Sequence, residues 1–120
     1  MKINIENYRF TSKRLTGDNL KLFFVNIKDA NEVKILELLN IAAFIEDEGI
    51  NESNFINISD KCGVYGMDIS MKLKSPEINN YQEVFIYKDE KVFNSSFRAI
   101  SEKIVWRNFD KSSIDDINYY

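Results

Sequence analysis

Carboxylates are the side chains in this sequence that are most clearly grouped for chemistry. They gather in a run of three acids and in a C-terminal acidic pair that two tyrosines follow: Glu46, Asp47 and Glu48, then Asp115, Asp116, Tyr119 and Tyr120. Carboxylates in such groups serve as acid–base pairs in glycosidases, as ligands of divalent metals, or as docking points for a basic partner. The rest of the sequence decides between these uses.

The sequence contains no histidine and one cysteine, Cys62. Histidine supplies most general bases near neutral pH and most partners of catalytic Ser or Cys, so its absence excludes Ser-His-Asp and Cys-His catalysis. A lone Cys without His provides no zinc site, and Cys62 is interpreted as a small, unreactive residue. We therefore predict no catalytic residues, no metal site and no cofactor.

A helix over residues 31–48 is predicted to position the acidic run. Val33, Leu36, Leu39 and Ala43 form one apolar face at helical spacing, and Gly49 is a natural stop. The three acids then lie at the carboxyl end of this helix, where the helix dipole disfavours negative charge. An unfavourable arrangement of this kind favours a functional interpretation, namely contact with a cationic partner. The alternative interpretation is an ordinary solvated acidic run.

The remaining pattern predicts an α+β fold, with a single-layer, mostly antiparallel sheet of about five strands and two helices packed on one face. The second helix is predicted over residues 96–108. Strands are predicted at residues 3–10, 20–27, 55–58 and 83–87, with residues 20–27 in the middle of the sheet. The strongest alternation places Met67, Ile69, Met71 and Leu73 on one face of a further strand.

Length and composition indicate one globular domain over residues 1–120, with residues 112–120 as an acidic and aromatic tail. The single Cys and the lack of a long apolar run favour a cytoplasmic protein without a membrane segment. A net charge of −3 and a pI near 5.0 argue against direct nucleic-acid binding.

Three functions from different classes are consistent with this sequence. The first is a protein-binding inhibitor, such as an immunity protein against a bacterial toxin or a phage inhibitor of a host defence nuclease. Such an inhibitor would cover a basic protein surface with the seven acidic and tyrosine residues named above. The second is a non-catalytic subunit that buries apolar surface in a homo-oligomer. The third is a His-free enzyme that uses Asp68 and Lys72 or the acidic run. We predict the first, and therefore not an enzyme.

Overall fold

In the residues that the structure describes, the chain forms one antiparallel sheet of seven strands, which curls into a half-barrel. The computed structural model describes residues 1–47, 49–60, 81–89 and 95–119. The strands are β1 (Lys2–Asn4), β2 (Tyr8–Thr16), β3 (Asn19–Asn26), β4 (Val33–Glu46), β5 (Phe55–Ser59), β6 (Gln82–Tyr87) and β7 (Phe97–Asn108). Helical segments in these ranges are short: a 3-10 turn at Ile50–Glu52 and α1 at Ile114–Tyr119.

The strand order explains how the core is enclosed. The order is β1-β5-β6-β7-β4-β3-β2, so the two strands at the ends of the sheet, β1 and β2, follow each other directly along the chain. The inner face of the curled sheet carries the main apolar core. Its buried side chains come from β3 to β7 and from two connections: Leu20, Leu22, Phe24, Leu36, Leu38, Ile56, Ile58, Val84, Ile86, Phe97, Ala99 and Ile104 from the strands, with Ile5 and Ile50 from the connections. The strands β1 and β2 contribute only partly buried side chains to this core. Burial of this surface is the main force that holds the half-barrel together.

The predicted α+β class is wrong, because most of residues 31–48 form the strand β4 (Val33–Glu46) rather than a helix. Leu36 and Leu38 face the inner core, whereas Val33 and Ile35 belong to a second cluster on the outer face. A strand that buries both faces has apolar residues at almost every position, and such a run also satisfies helical spacing. Gly49, expected to stop a helix, instead adopts a φ of 106° just before the 3-10 turn.

The second predicted helix, at residues 96–108, is also wrong. These residues form β7, the central strand of the sheet, which pairs with β4 on one side and β6 on the other. Phe97 and Ala99 alternate as strand residues do, and both are buried in the inner core. The expected packing of two helices on one face is thereby replaced by two long strands inside the sheet.

Several shorter predictions agree with the structure. The hairpin between β2 and β3 turns at Gly17, where φ is 61°, and β3, β5 and β6 lie within one residue of the predicted strands. β3 is internal but lies next to the edge strand β2 rather than in the middle. Residues 3–10 are divided between β1 and the start of β2. The predicted strand with Met67, Ile69, Met71 and Leu73 lies outside the described residues, as do Cys62, Asp68 and Lys72.

A smaller apolar cluster lies on the outer face of β3 and β4. Phe23, Val25, Val33 and Ile35 are buried there, and Phe109 packs against them from the segment that follows β7. The amide of Phe109 donates a hydrogen bond of 2.9 Å to the carbonyl of Val33. The chain after β7 is thereby directed across the outer face, toward α1. In the part of the chain that the structure describes, no helix has the length and apolar character that a membrane span requires.

Candidate partner-binding site

An acidic depression lies at the rim of the half-barrel, where the end of β4 meets β2. Its cavity volume is about 370 Å³. It is lined by three carboxylate residues and by apolar and backbone surface from three elements: Glu46, Asp47 and Glu52, with Phe10, Gly49, Ile50 and Asn51. Two acids of the predicted run therefore lie in a concave surface, and the structure adds a third, Glu52.

The connection after β4 places Glu52 beside the other two acids. Gly49 has a φ of 106°, a backbone conformation that side chains with a Cβ rarely adopt, and this lets the chain enter the 3-10 turn. The amide of Glu52 then donates to the carbonyl of Gly49 at 3.0 Å. The side chain of Ile50 is buried in the inner core and anchors the turn against the sheet.

Two buried serines fix the depression from behind. The hydroxyl groups of Ser53 and Ser96 are hydrogen-bonded to each other at 2.6 Å. Each also lies 3.1 Å from a backbone carbonyl, that of Gly49 for Ser53 and that of Ile86 for Ser96, and the hydroxyl that accepts within the pair donates to its carbonyl. The amide of Asp47 donates to the carbonyl of Ser96 at 2.8 Å. The connection from β4 to β5 is thus tied to the start of β7, so the acids are carried by a rigid frame.

Lys13 of β2 forms an ion pair with Glu46 across the opening of the half-barrel. The cross-strand pairing of Lys13 with Leu22, and of Glu46 with Phe97, places both side chains on the inner side of the sheet. Both residues are exposed, so the pair stabilises the fold by less than about 1 kcal/mol. Its larger effect is on charge, because Lys13 offsets one of the three negative charges at the depression.

The depression is suited to a cationic side chain from a partner. It combines three carboxylates with the partly exposed apolar ring of Phe10, and this matches the charged head and alkyl stem of Arg or Lys. Among residues 1–47, 49–60, 81–89 and 95–119, no group of three or more His, Cys, Asp or Glu is placed to hold a metal ion.

The second acidic segment is arranged differently, around a fully buried carboxylate. Asp116 in α1 has no exposed side-chain surface. Its two oxygens accept hydrogen bonds from both terminal nitrogens of Arg107, at 2.7 and 2.8 Å, and from the ammonium group of Lys21 at 3.2 Å. The amide of Asp110 adds a further bond of 2.8 Å, and Glu37 accepts one of 2.9 Å from Arg107.

This ion network depends on strand register. Lys21 and Glu37 are direct cross-strand partners between β3 and β4, and Arg107 of β7 lies opposite Ile35, two residues from Glu37. All three side chains project from the outer face, and α1 closes over them. The bidentate contact with Arg107 holds the pKa of Asp116 well below its ordinary value, and the same contact raises the pKa of Arg107.

Not all of the residues predicted to contact a partner lie together. Glu46 and Asp47 line the depression, whereas Asp116 is enclosed by the chain's own cations. Asp115 and Tyr119 belong to α1 by their backbone. Glu48 and Tyr120 lie outside the described residues. Glu46 ends a strand, so the argument from an opposing helix dipole no longer applies, and the case for a cationic partner depends on the depression instead.

Sequence reasoning missed Glu52 and Phe10 at the depression and the cations Lys21 and Arg107 around Asp116. Glu52 follows the acidic run closely and was a recognisable candidate. The other three are brought to their positions by sheet curvature and register, which no local pattern encodes. Comparison of the chain with models of protein families, with curated proteins and with solved structures found no match.

Proposed function

We propose that this protein is a cytoplasmic protein-binding inhibitor that acts by covering a basic surface of its target. A bacterial toxin neutralised by an immunity protein, or a host defence nuclease blocked by a phage protein, has a target surface of this kind. The acidic depression is the observation that supports the proposal, because it presents Glu46, Asp47 and Glu52 together in a concave surface.

Charge and framework both support this use of the depression. The chain as a whole carries a net charge of −3, so its long-range field and the local acids attract the same kind of partner. The buried Ser53–Ser96 pair and the buried Ile50 hold the surrounding backbone in place. A preorganised surface loses little conformational entropy when it binds, and this raises affinity.

The histidine-free composition supports a binding role over an enzymatic one. The buried hydroxyl groups of Ser53 and Ser96 are hydrogen-bonded to each other, and the hydroxyl that accepts within the pair donates to a backbone carbonyl. Their hydrogen-bonding capacity is used for structure. The acids of the depression are therefore proposed as contacts for a partner's Lys or Arg side chains, not as acid–base catalysts.

Affinity capture from the native host tests this function. Wild-type protein is immobilised beside two charge-matched variants. The first is Glu46→Gln/Asp47→Asn/Glu52→Gln, and the second is Glu6→Gln/Asp18→Asn/Glu102→Gln, which neutralises three exposed acids that do not line the depression. We expect wild type and the second variant to capture the same basic protein and the first variant to lose it. Equal capture by both variants would contradict the proposal.

A further inference from the structure

Residues 110–119 cross the outer face of the sheet as a strap. Among the side chains that the structure describes in this strap, the one fully buried charged group is the carboxylate of Asp116. In the same segment Ile114 and Ile117 are 72% and 54% exposed. A surface helix ordinarily buries its apolar side chains and exposes its polar ones. The described side chains of the strap have the opposite arrangement, so their attachment to the sheet depends on hydrogen bonds and charge rather than on apolar burial.

The charges at this contact are balanced only when the strap is closed. Lys21 and Arg107 supply two positive charges, and Glu37 and Asp116 supply two negative ones. Glu37 belongs to β4 and remains on the sheet in any case. Removing the carboxylate of Asp116 leaves one net positive charge on the outer face, where Lys21 and Arg107 are partly buried. The negative charge of Asp116 thus balances the net positive charge that the sheet presents to the strap.

None of the described side chains of residues 110–119 belongs to the inner core. That core consists of residues from the strands and their connections up to Trp106, and Phe109 joins only the outer cluster. The hydrogen bonds within the strap are local: the amide of Ile117 donates to the carbonyl of Ser113, and the amide of Ser113 to that of Asp110. Segments with few buried apolar contacts open at a lower free energy than the core of a protein.

We propose that residues 110–119 form a strap that opens and closes as one unit over a sheet that stays folded, with Asp116 as the residue that holds it closed. The proposal goes beyond the binding function, since the depression lies on the inner side of the sheet and the strap on the outer side. Opening changes how the backbone of α1 is presented to a partner, and it uncovers the guanidinium of Arg107, without altering the frame of the acidic depression.

Amide hydrogen exchange on the full chain tests the strap. The amides of Asp110 and Ile117 donate within the strap, to Asp116 and to Ser113. They report on closure because a helix of six residues does not persist once it is detached from the sheet. In wild type we expect both to exchange at least about tenfold faster than amides in the centre of β4 and β7. In Asp116→Asn both should exchange about tenfold faster again, while the β4 and β7 amides remain at least about tenfold slower than the strap amides. Asp18→Asn, on the exposed β2–β3 turn, is the matched control and should leave all rates unchanged.

A second variant separates charge from geometry. Arg107→Lys keeps the positive charge but removes the two-pronged contact with Asp116, so we expect its strap to exchange at a rate between wild type and Asp116→Asn. Three results would overturn the proposal. They are wild-type strap amides that exchange only with global unfolding, Asp116→Asn strand amides that exchange as fast as the strap amides, and an Asp116→Asn strap that exchanges like wild type.

Discussion

At the scale of the residue, acids that look equivalent in the sequence have opposite environments. Glu46 and Asp47 are exposed at the depression, whereas Asp116 has no exposed side-chain surface and accepts hydrogen bonds from two cationic side chains and from a backbone amide. A carboxylate in the first setting is available to a partner. A carboxylate in the second setting stabilises the chain's own structure, because removing it leaves buried donors with poorer acceptors.

Asp116→Asn should reduce the free energy of unfolding in a pH-dependent way. The pKa of Asp116 is lowered in the folded protein, so its contribution to stability is fully present above the ordinary carboxyl pKa and is lost as the pH falls toward the lowered value. At pH 7 we expect a loss of about 1–3 kcal/mol by urea unfolding, and a smaller difference from wild type at pH 2. A difference that stays constant from pH 7 to pH 2 would show that the charge of Asp116 is not the cause. Asp18→Asn serves as the control.

At the scale of the element, β4 shows why the fold class was not predictable from local spacing. Its first half buries Leu36 and Leu38 on one face and Val33 and Ile35 on the other, so the alternation typical of a one-sided strand is absent. A bulge between Ile41 and Ala43 then shifts the pairing with β7. Both features erase the period of two and leave a run of apolar residues that is compatible with a helix.

Elements with clear local signals were predictable. Gly17 identified the β2–β3 turn because a tight hairpin requires a positive φ there, and the apolar strands β3, β5 and β6 were recognised from their composition. The acidic character of the candidate site was also evident from the sequence. Its shape was not, since Phe10 joins Glu46 only when the sheet curls and Glu52 only through the 3-10 turn after Gly49.

Asn40 provides a direct test of the irregular geometry in β4. Its φ is 51°, a value that is uncommon for residues other than glycine. Its side chain donates to Glu102, and this bond is lost equally in Asn40→Gly and Asn40→Val. We expect Asn40→Val to be less stable than Asn40→Gly by about 1–3 kcal/mol in thermal or urea unfolding, because a β-branched residue is strained at this φ. Equal stability of the two variants would mean that residue 40 does not adopt a left-handed conformation.

At the scale of the whole molecule, the curl of the sheet creates the candidate site. β2 and the end of β4 are separated by β3 in the sheet, yet Lys13 and Glu46 form an ion pair because the sheet bends toward its own inner face. The same curvature brings Phe10 to the acids. The inner side of the half-barrel therefore ends in a negatively charged rim, while the outer side carries the strap held by Asp116.

We propose that the negative rim attracts a basic partner, and the rate at which the two proteins associate reports on this attraction. With the captured partner, the wild-type rate should fall steeply as salt rises, since screening weakens long-range attraction. At low salt Glu46→Gln/Asp47→Asn/Glu52→Gln should associate about tenfold more slowly with a flatter salt dependence, whereas Lys13→Gln, which removes the opposing charge, should associate faster. A chain ending at Asn118 lacks Tyr119 and Tyr120. It should instead dissociate faster from the partner, because aromatic side chains at an interface act after encounter. Identical association rates and salt dependences for wild type, the triple variant and Lys13→Gln would contradict the proposal that the negative rim attracts the partner.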